Sequence, residues 1–290
     1  MGKGIRLIAI DLDDTLLTGE LAIPPRCRET IARAMSQGAM VCVATGRMFC
    51  SALPFARELG LNGPVIAYNG ALVRTPGGDT VYHQPVPLPV AQEVVMVARE
   101  NRLSLNVYLD DTLYVEEVTE HTRYYLSHSG VEAHPVGNMM RFLDRDPTKV
   151  LVVDQKERVA GFIPILWERF QGRLEVVGSK PRYIEMTSPG VSKGRALLRL
   201  AASLGVETGE VMAIGDSFND LDMIESAGIG VAVANAPYAV QSRADWVAPS
   251  NEEGGVAAAI ERFVLAGTTS PVTSSPELKS EVSRTQRTVP

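Results

Sequence analysis

Ile5-Arg6-Leu7-Ile8-Ala9-Ile10 runs without a break into Asp11-Leu12-Asp13-Asp14-Thr15, and Leu16-Leu17-Thr18-Gly19 follows. The apolar run has the length and character of a buried strand, and three carboxylates crowd its end. Carboxylates held this close repel one another at neutral pH, so a fold that keeps them needs a divalent cation or a basic side chain nearby. Aspartates also cap helices and close turns, and alone the cluster would carry no more than that. Its position at a strand end points to metal-assisted chemistry on a phosphate.

Outward from this strand, short apolar runs alternate with helical patterns. A helix is expected near 25–37, a strand at 40–44, a helix near 49–60 and a strand at 64–67. The rhythm returns with a helix at 192–204, a strand at 210–214, a helix at 219–227, a strand at 229–234, and helices at 236–243 and 255–265. This is the βαβ pattern of a parallel sheet covered on both faces, with two separated segments contributing to one sheet. Between them, 105–109 and 112–116 flank Asp110-Asp111 as an antiparallel hairpin, and a strand at 149–153, a helix at 156–171 and strands at 173–178 and 182–187 continue an α+β pattern. The predicted fold is therefore α/β: a Rossmann-like, doubly wound parallel sheet core over 1–83 and 189–265, with an α+β domain inserted at 84–188. Residues 266–290 are rich in Ser, Thr and Pro, lack aromatic residues, and are expected to form a disordered tail.

Composition narrows the function classes. The 290 residues are 45% hydrophobic, enough for a sizeable core, and 28 Lys plus Arg against 34 Asp plus Glu leave a net charge of -6. No basic stripe suited to nucleic acid accompanies that balance. Cys27, Cys42 and Cys50 are odd in number and lack metal-type spacing, which fits a reducing cytoplasm. The apolar stretch before Asp11 is short for a signal segment and no run approaches the roughly 18 residues of a membrane span, so a protein neither secreted nor membrane-spanning is expected. Oligomeric state is not legible in the sequence.

Three further features fall where ligands bind an open α/β sheet. Thr45-Gly46-Arg47 follows the strand at 40–44 and offers a hydroxyl, close backbone approach to an anion, and a guanidinium for phosphate oxygens. Lys193 follows Ser192 at the start of a helix, where a cation opposes the helix dipole, so local preference does not explain it. Gly215-Asp216-Ser217-Phe218-Asn219-Asp220 ends the strand at 210–214; Asn219 and Asp220 could cap the next helix, yet the whole string is far more specific than a cap.

In this order and spacing, Asp11-Leu12-Asp13-Asp14-Thr15, Thr45-Gly46-Arg47, Lys193 and Gly215-Asp216-x-x-Asn219-Asp220 resemble the haloacid dehalogenase superfamily of phosphatases. The inserted α+β segment and Tyr68-Asn69-Gly70-Ala71 are similar to its Cof-type subfamily, whose large cap selects substrates. The resemblance spans about residues 5–265, and Asp14 stands where many members carry Gly. It implies that Asp11 is the nucleophile, forming an aspartyl-phosphate, while Asp13 protonates the leaving alkoxide and then activates water. It implies Mg2+ held by Asp11, Asp216 and the Asp13 backbone carbonyl, with Asp220 outside the ligand set orienting Lys193 or metal-bound water. Thr45, Gly46, Arg47, Lys193 and Asn219 would then bind the phosphoryl group.

The expected activity is a magnesium-dependent phosphatase for a small phosphorylated metabolite, a sugar phosphate first among them. The alternatives are a phosphosugar mutase of the same fold, a phospho-acceptor module of the receiver type, and a non-catalytic metabolite-binding protein. Receiver domains are about half this size and have no cap. In the insert, Tyr108, Asp110-Asp111, His121, Tyr124 and His128 offer polar and aromatic groups, and His121 and His128, seven apart on a helix, are read as a solvated face rather than ligands.

Overall fold

The computed structural model describes residues 4–266. Among these, fourteen strands form two sheets. The chain opens with β1 (Leu7–Ile10), β2 (Met40–Ala44), β3 (Val65–Ala67), β4 (Leu72–Arg74) and β5 (Thr80–His83). It leaves to build β6 (Ser104–Leu109), β7 (Thr112–Val115), β8 (Ala133–Pro135), β9 (Lys149–Val153), β10 (Glu175–Lys180) and β11 (Tyr183–Thr187). It then returns through β12 (Val211–Gly215), β13 (Ile229–Val233) and β14 (Trp246–Ala248).

The first sheet has the order β14-β13-β12-β1-β2-β3-β4-β5, parallel from β14 to β3 and antiparallel beyond. Side chains alternate along β1: Ile8 and Ile10 pack with Ile31 and Ala34 of helix Pro25–Ser36 and with Val256 and Ile260 of helix Gly255–Ile260. Leu7 and Ala9 point the other way, onto Leu197 and Leu200 of helix Lys193–Ser203 and Met223 of helix Leu221–Ser226. Both faces are thus covered, which is why the parallel strands are apolar throughout rather than alternating. The strand order reverses at β1, whose neighbours are β2 and β12, and the crevice beyond the carboxyl ends of these strands is where such sheets bind ligands.

The second sheet runs β10-β11-β9-β6-β7-β8, antiparallel except for the β7–β8 pair. Helices Leu88–Glu100 and Lys156–Phe170 bury one face, with Val94, Val95, Leu166 and Phe170 against Val107, Val152 and Ile184. The other face, carrying Tyr108, Leu113, Leu151, Val153 and Tyr183, belongs to the same apolar cluster as the first sheet. Each such side chain contributes about 1.5–3 kcal/mol on burial, so the two sheets are joined by packing as well as by the chain.

The hairpin at Asp110-Asp111 forms as expected, with both residues at positive φ, 51° and 60°, the primed-turn geometry that follows the strand twist. Its tip touches the first sheet's layer: Asp111 Oδ2 accepts from the Cys50 N–H at 2.7 Å and Oδ1 from the Tyr68 hydroxyl at 2.8 Å. Helix Leu88–Glu100, which Pro89 opens in its first turn, and the antiparallel extension β4–β5, whose outer strand is largely exposed, are additions to the elements expected from the sequence. The disordered tail expected at 266–290 lies outside the described residues, save for Ala266, which continues the last helical turn. No helix among the described residues is long and apolar enough to cross a membrane.

Candidate active site

β1 and β12 pair in register from Leu7↔Val211 to Ile10↔Ile214, and the Asp11 N–H donates to the Ile214 carbonyl at 3.0 Å. That pairing sets Asp11 and Asp216 side by side at the crevice. Asp11 is 5% exposed and Asp216 8%. Lys193, 1% exposed, reaches between helix and sheet, and its Nζ donates to Asp11 Oδ1 at 2.5 Å and to Asp220 Oδ1 at 2.6 Å. Asp220 Oδ2 accepts from the backbone N–H groups of Asp216 (3.1 Å) and Ser217 (2.9 Å), so this carboxylate shapes the Gly215–Asp220 loop. A Cβ at Gly215 would lie 2.5 Å from Asp220 Cβ, which explains the glycine. Asp216 accepts from the Thr15 hydroxyl at 2.7 Å and from the Ser217 hydroxyl at 3.1 Å.

Three buried carboxylates face one ammonium group, leaving negative charge uncompensated. Burial pushes the Asp11 carboxyl well above its ordinary range, Lys193 opposing and Asp220 and Asp216 adding to the rise. Burial likewise lifts Asp216 to about 6, against the Thr15 and Ser217 hydroxyls. Burial would depress the Lys193 ammonium, but Asp11 and Asp220 outweigh it and hold the group above the usual lysine value. Carboxylate oxygens of Asp11, Asp216 and Asp220 all lie within 4.8 Å of one another. Hard oxygen ligands, closely spaced and short of one positive partner, fit a divalent cation.

Leu12–Leu16 turn away from the strand in a wide loop closed by the Leu17 N–H on the Leu12 carbonyl at 2.9 Å. Asp14 takes φ 58° there, with its side chain exposed and its carbonyl accepting from Asn235 Nδ2 at 2.7 Å. Its position requires a left-handed backbone, a conformation glycine adopts freely and aspartate tolerates. Asp13 keeps 46% of its side chain exposed and is gripped by Arg47, Nε to Oδ2 at 2.8 Å and Nη2 to Oδ1 at 2.5 Å. This fork holds the guanidinium charged, and Arg47 also lies over the Phe55 ring at 5.1 Å. Thr45 is fully buried and its hydroxyl accepts from the Arg47 N–H at 3.1 Å. Gly46 faces Asn69, whose Oδ1 would stand 3.0 Å from a Cβ at that position. Asn219 donates through Nδ2 to the same Asn69 oxygen at 3.0 Å.

The site residues read from the sequence therefore gather at one crevice, in two groups: Asp11, Lys193, Asp216 and Asp220 buried, and Asp13, Arg47 and Asn219 nearer its mouth. Thr15, Ser217 and Asn69 join them; all three stand inside the sequence motifs, which by themselves give these side chains no role. Asn235 carried no sequence signal. His121 departs from the solvated face expected of it: its side chain is 14% exposed, Nδ1 meets Arg182 Nη2 at 2.9 Å, and Nε2 lies 3.6 Å from buried Asp154. Arg182 is 61 residues away, a contact no local pattern reveals. His128 is exposed as expected.

Residues 8–260 match the family of haloacid dehalogenase-like hydrolases. The chain belongs to that family. This haloacid dehalogenase-like hydrolase is 31% identical over 268 residues to the 5-amino-6-(5-phospho-D-ribitylamino)uracil phosphatase YitU of Bacillus subtilis, covering 89% of this chain and 97% of that one. It is 30% identical over 261 residues to the pyridoxal phosphate phosphatase YbhA of Escherichia coli, covering 87% and 96%. A haloacid dehalogenase-like hydrolase of Bacteroides thetaiotaomicron superposes with a TM-score of 0.83 at 31% identity, covering 89% of this chain and 99% of that one. The enzyme is a phosphoric monoester hydrolase of this family, and the family match overturns the receiver-type alternative.

Proposed function

We propose that this phosphatase is magnesium-dependent and hydrolyses a small phosphorylated metabolite, a sugar phosphate, through an aspartyl-phosphate on Asp11. The observation that carries the reading is the fully buried Lys193 bridge, which fixes the Asp11 carboxylate beside Asp216 at the mouth of β1. The names of the relatives, with small phosphate esters as their substrates, support a ligand of that size.

Asp11 and Asp216, with the Asp13 carbonyl, would hold magnesium, which supplies positive charge against both the carboxylates and the phosphate oxygens. Lys193 orients Asp11 and neutralises it in part. An Asp11 oxygen forms the bond to phosphorus while the ester oxygen departs, taking its proton from Asp13. Asp13 then accepts a proton from water, whose oxygen attacks phosphorus and frees Asp11 and phosphate. The Arg47 fork is suited to phosphate as well as to carboxylate, so an arriving phosphate competes with Asp13 for the guanidinium and releases Asp13 for proton transfer. Thr45, Gly46 and Asn219 border the same space and would complete the phosphate cradle, with Asp220 positioning Lys193.

In this reading 1–83 and 189–265 form the catalytic core and 84–188 the cap, which covers the site and reads the leaving group. The test is phosphate release from a panel of phosphorylated sugars, nucleotides and cofactors, with and without magnesium, with Asp11→Asn as blank. Metal-dependent release absent from the variant supports the reading. Activity only in the presence of a bisphosphate, with the phosphoryl group retained on sugar, would make the enzyme a mutase instead.

A further inference from the structure

Glu185, on β11 of the second sheet, reaches across to the catalytic loops. Its Oε2 accepts from Lys149 Nζ at 3.1 Å and from Asn69 Nδ2 at 3.2 Å. Asn69 Oδ1 in turn receives Asn219 and borders Gly46. A single amide thus separates this carboxylate from the loops of Thr45–Arg47 and Asp216–Asp220. Lys149 is 4% exposed and packed over the rings of Tyr108 (4.9 Å) and Tyr68 (5.7 Å), so it cannot swing to solvent and stays committed to Glu185. Glu185 is less sealed: 16% of its side chain remains exposed. Burial pushes its carboxyl up, but Lys149, the Ser179 hydroxyl and Lys180 together hold it below the ordinary glutamate value, so it is an anion at neutral pH.

We propose that Glu185 reads the leaving group, accepting hydrogen bonds from its hydroxyl or ammonium groups and excluding leaving groups that carry a second phosphate or a carboxylate. The proposal deepens the phosphatase reading above and rests on it. An ionised carboxylate is an acceptor with about four lone-pair sites; Lys149 and Asn69 both take Oε2 and the Ser179 hydroxyl takes another site, which leaves room for a ligand donor. The group it offers a ligand is therefore an acceptor only, matched by donors. A second anion brought against the open part of this carboxylate finds no donor there, because Lys149 is committed to Oε2 and too buried to turn, and such an unpaired contact in a partly dehydrated crevice is less favourable than in water. Lys149 supplies the countercharge that keeps the glutamate ionised, and is a positioning residue.

The test compares kcat/KM, with magnesium and the full chain, for three probes: the faster of glucose 6-phosphate and ribose 5-phosphate, fructose 1,6-bisphosphate, and p-nitrophenyl phosphate. Glu185→Gln is expected to lower the ratio of the sugar monophosphate to p-nitrophenyl phosphate by about tenfold or more, the loss of one hydrogen bond to a charged group. It should also narrow the preference for the monophosphate over the bisphosphate. Glu185→Asp keeps the charge opposite Lys149 but shortens its reach; it should lower the first ratio and keep the second. Ratios unchanged in both folded variants, or an equal fall on all three probes, would overturn the role of Glu185. Failure of the wild type to hydrolyse either sugar phosphate, whatever its rate on p-nitrophenyl phosphate, would refute the sugar-phosphatase reading on which the proposal rests.

Discussion

Lys193 donates to Asp11 at 2.5 Å although 182 positions separate them, the whole second sheet being inserted between. The same ammonium meets Asp220 at 2.6 Å. A lysine in the first turn of a helix works against the dipole by some tenths of a kcal/mol, and two buried carboxylates outweigh that.

Replacing Lys193 with Met should therefore damage both stability and activity. Breaking a buried pair by removing one partner costs about 3–5 kcal/mol, because the carboxylates stay behind uncompensated. Losing the charge that fixes Asp11 should lower kcat by about 10²–10³. Thermal melting and initial rates check both; a variant with parent-like kcat would remove Lys193 from the site.

Divalent metal should raise the melting temperature by relieving the same repulsion. A ligand at 100 times its Kd stabilises by about 2.7 kcal/mol, so magnesium titration followed by melting gives the affinity directly. Asp216→Asn should weaken magnesium by about tenfold or more while the apo variant melts no lower than the parent, since one buried negative charge is gone. Full activity in chelator would contradict the metal assignment.

Asp14 has its side chain in solvent and adds only a minor contribution to the rise of Asp216, so its backbone, at φ 58°, chiefly sets the consequences of substitution. Asp14→Gly is expected to stay within about 1 kcal/mol of the parent and to remain active. Asp14→Val should lose about 1–2 kcal/mol, the cost of a β-branched residue in the left-handed region. Urea unfolding of the pair measures the difference.

Cys50 is exposed, yet burial of its thiol and the nearby Asp111 carboxylate push the thiol up to about 11. The group is almost wholly protonated at pH 8, and its alkylation should rise about tenfold per pH unit until near that value. Asp111→Asn removes the anion at the hairpin tip and should speed alkylation of Cys50 at fixed pH, whereas buried Cys42, pushed up to about 12, should stay inert. Peptide mapping after timed alkylation reads both sites.

Much of this site was legible because its anchors stand at strand ends. Asp11, Thr45 and Asp216 each follow a run apolar enough to be a strand buried on both faces, and Lys193 was conspicuous for opposing its helix. What the sequence could not show was pairing across distance. Arg47 looks like a phosphate ligand in its tripeptide, and only the structure shows it on Asp13, 34 residues away. Glu185 looks like one polar step in an alternating strand; its contact with Asn69 spans 116 residues. Helix Leu88–Glu100 is hidden in the sequence because prolines at its start resemble a loop, and the burial of His121 because its partners Arg182 and Asp154 come from other parts of the second sheet.

The most direct test of the account is to locate the phosphoryl group during turnover. Enzyme mixed with magnesium and a turned-over phosphate ester, quenched in acid within one turnover, should yield the peptide containing Asp11 with one added phosphoryl group, and Asp11→Asn should yield none and show no turnover. Phosphate on another residue, or turnover by Asp11→Asn above about one hundredth of the parent rate, would contradict nucleophilic catalysis by Asp11.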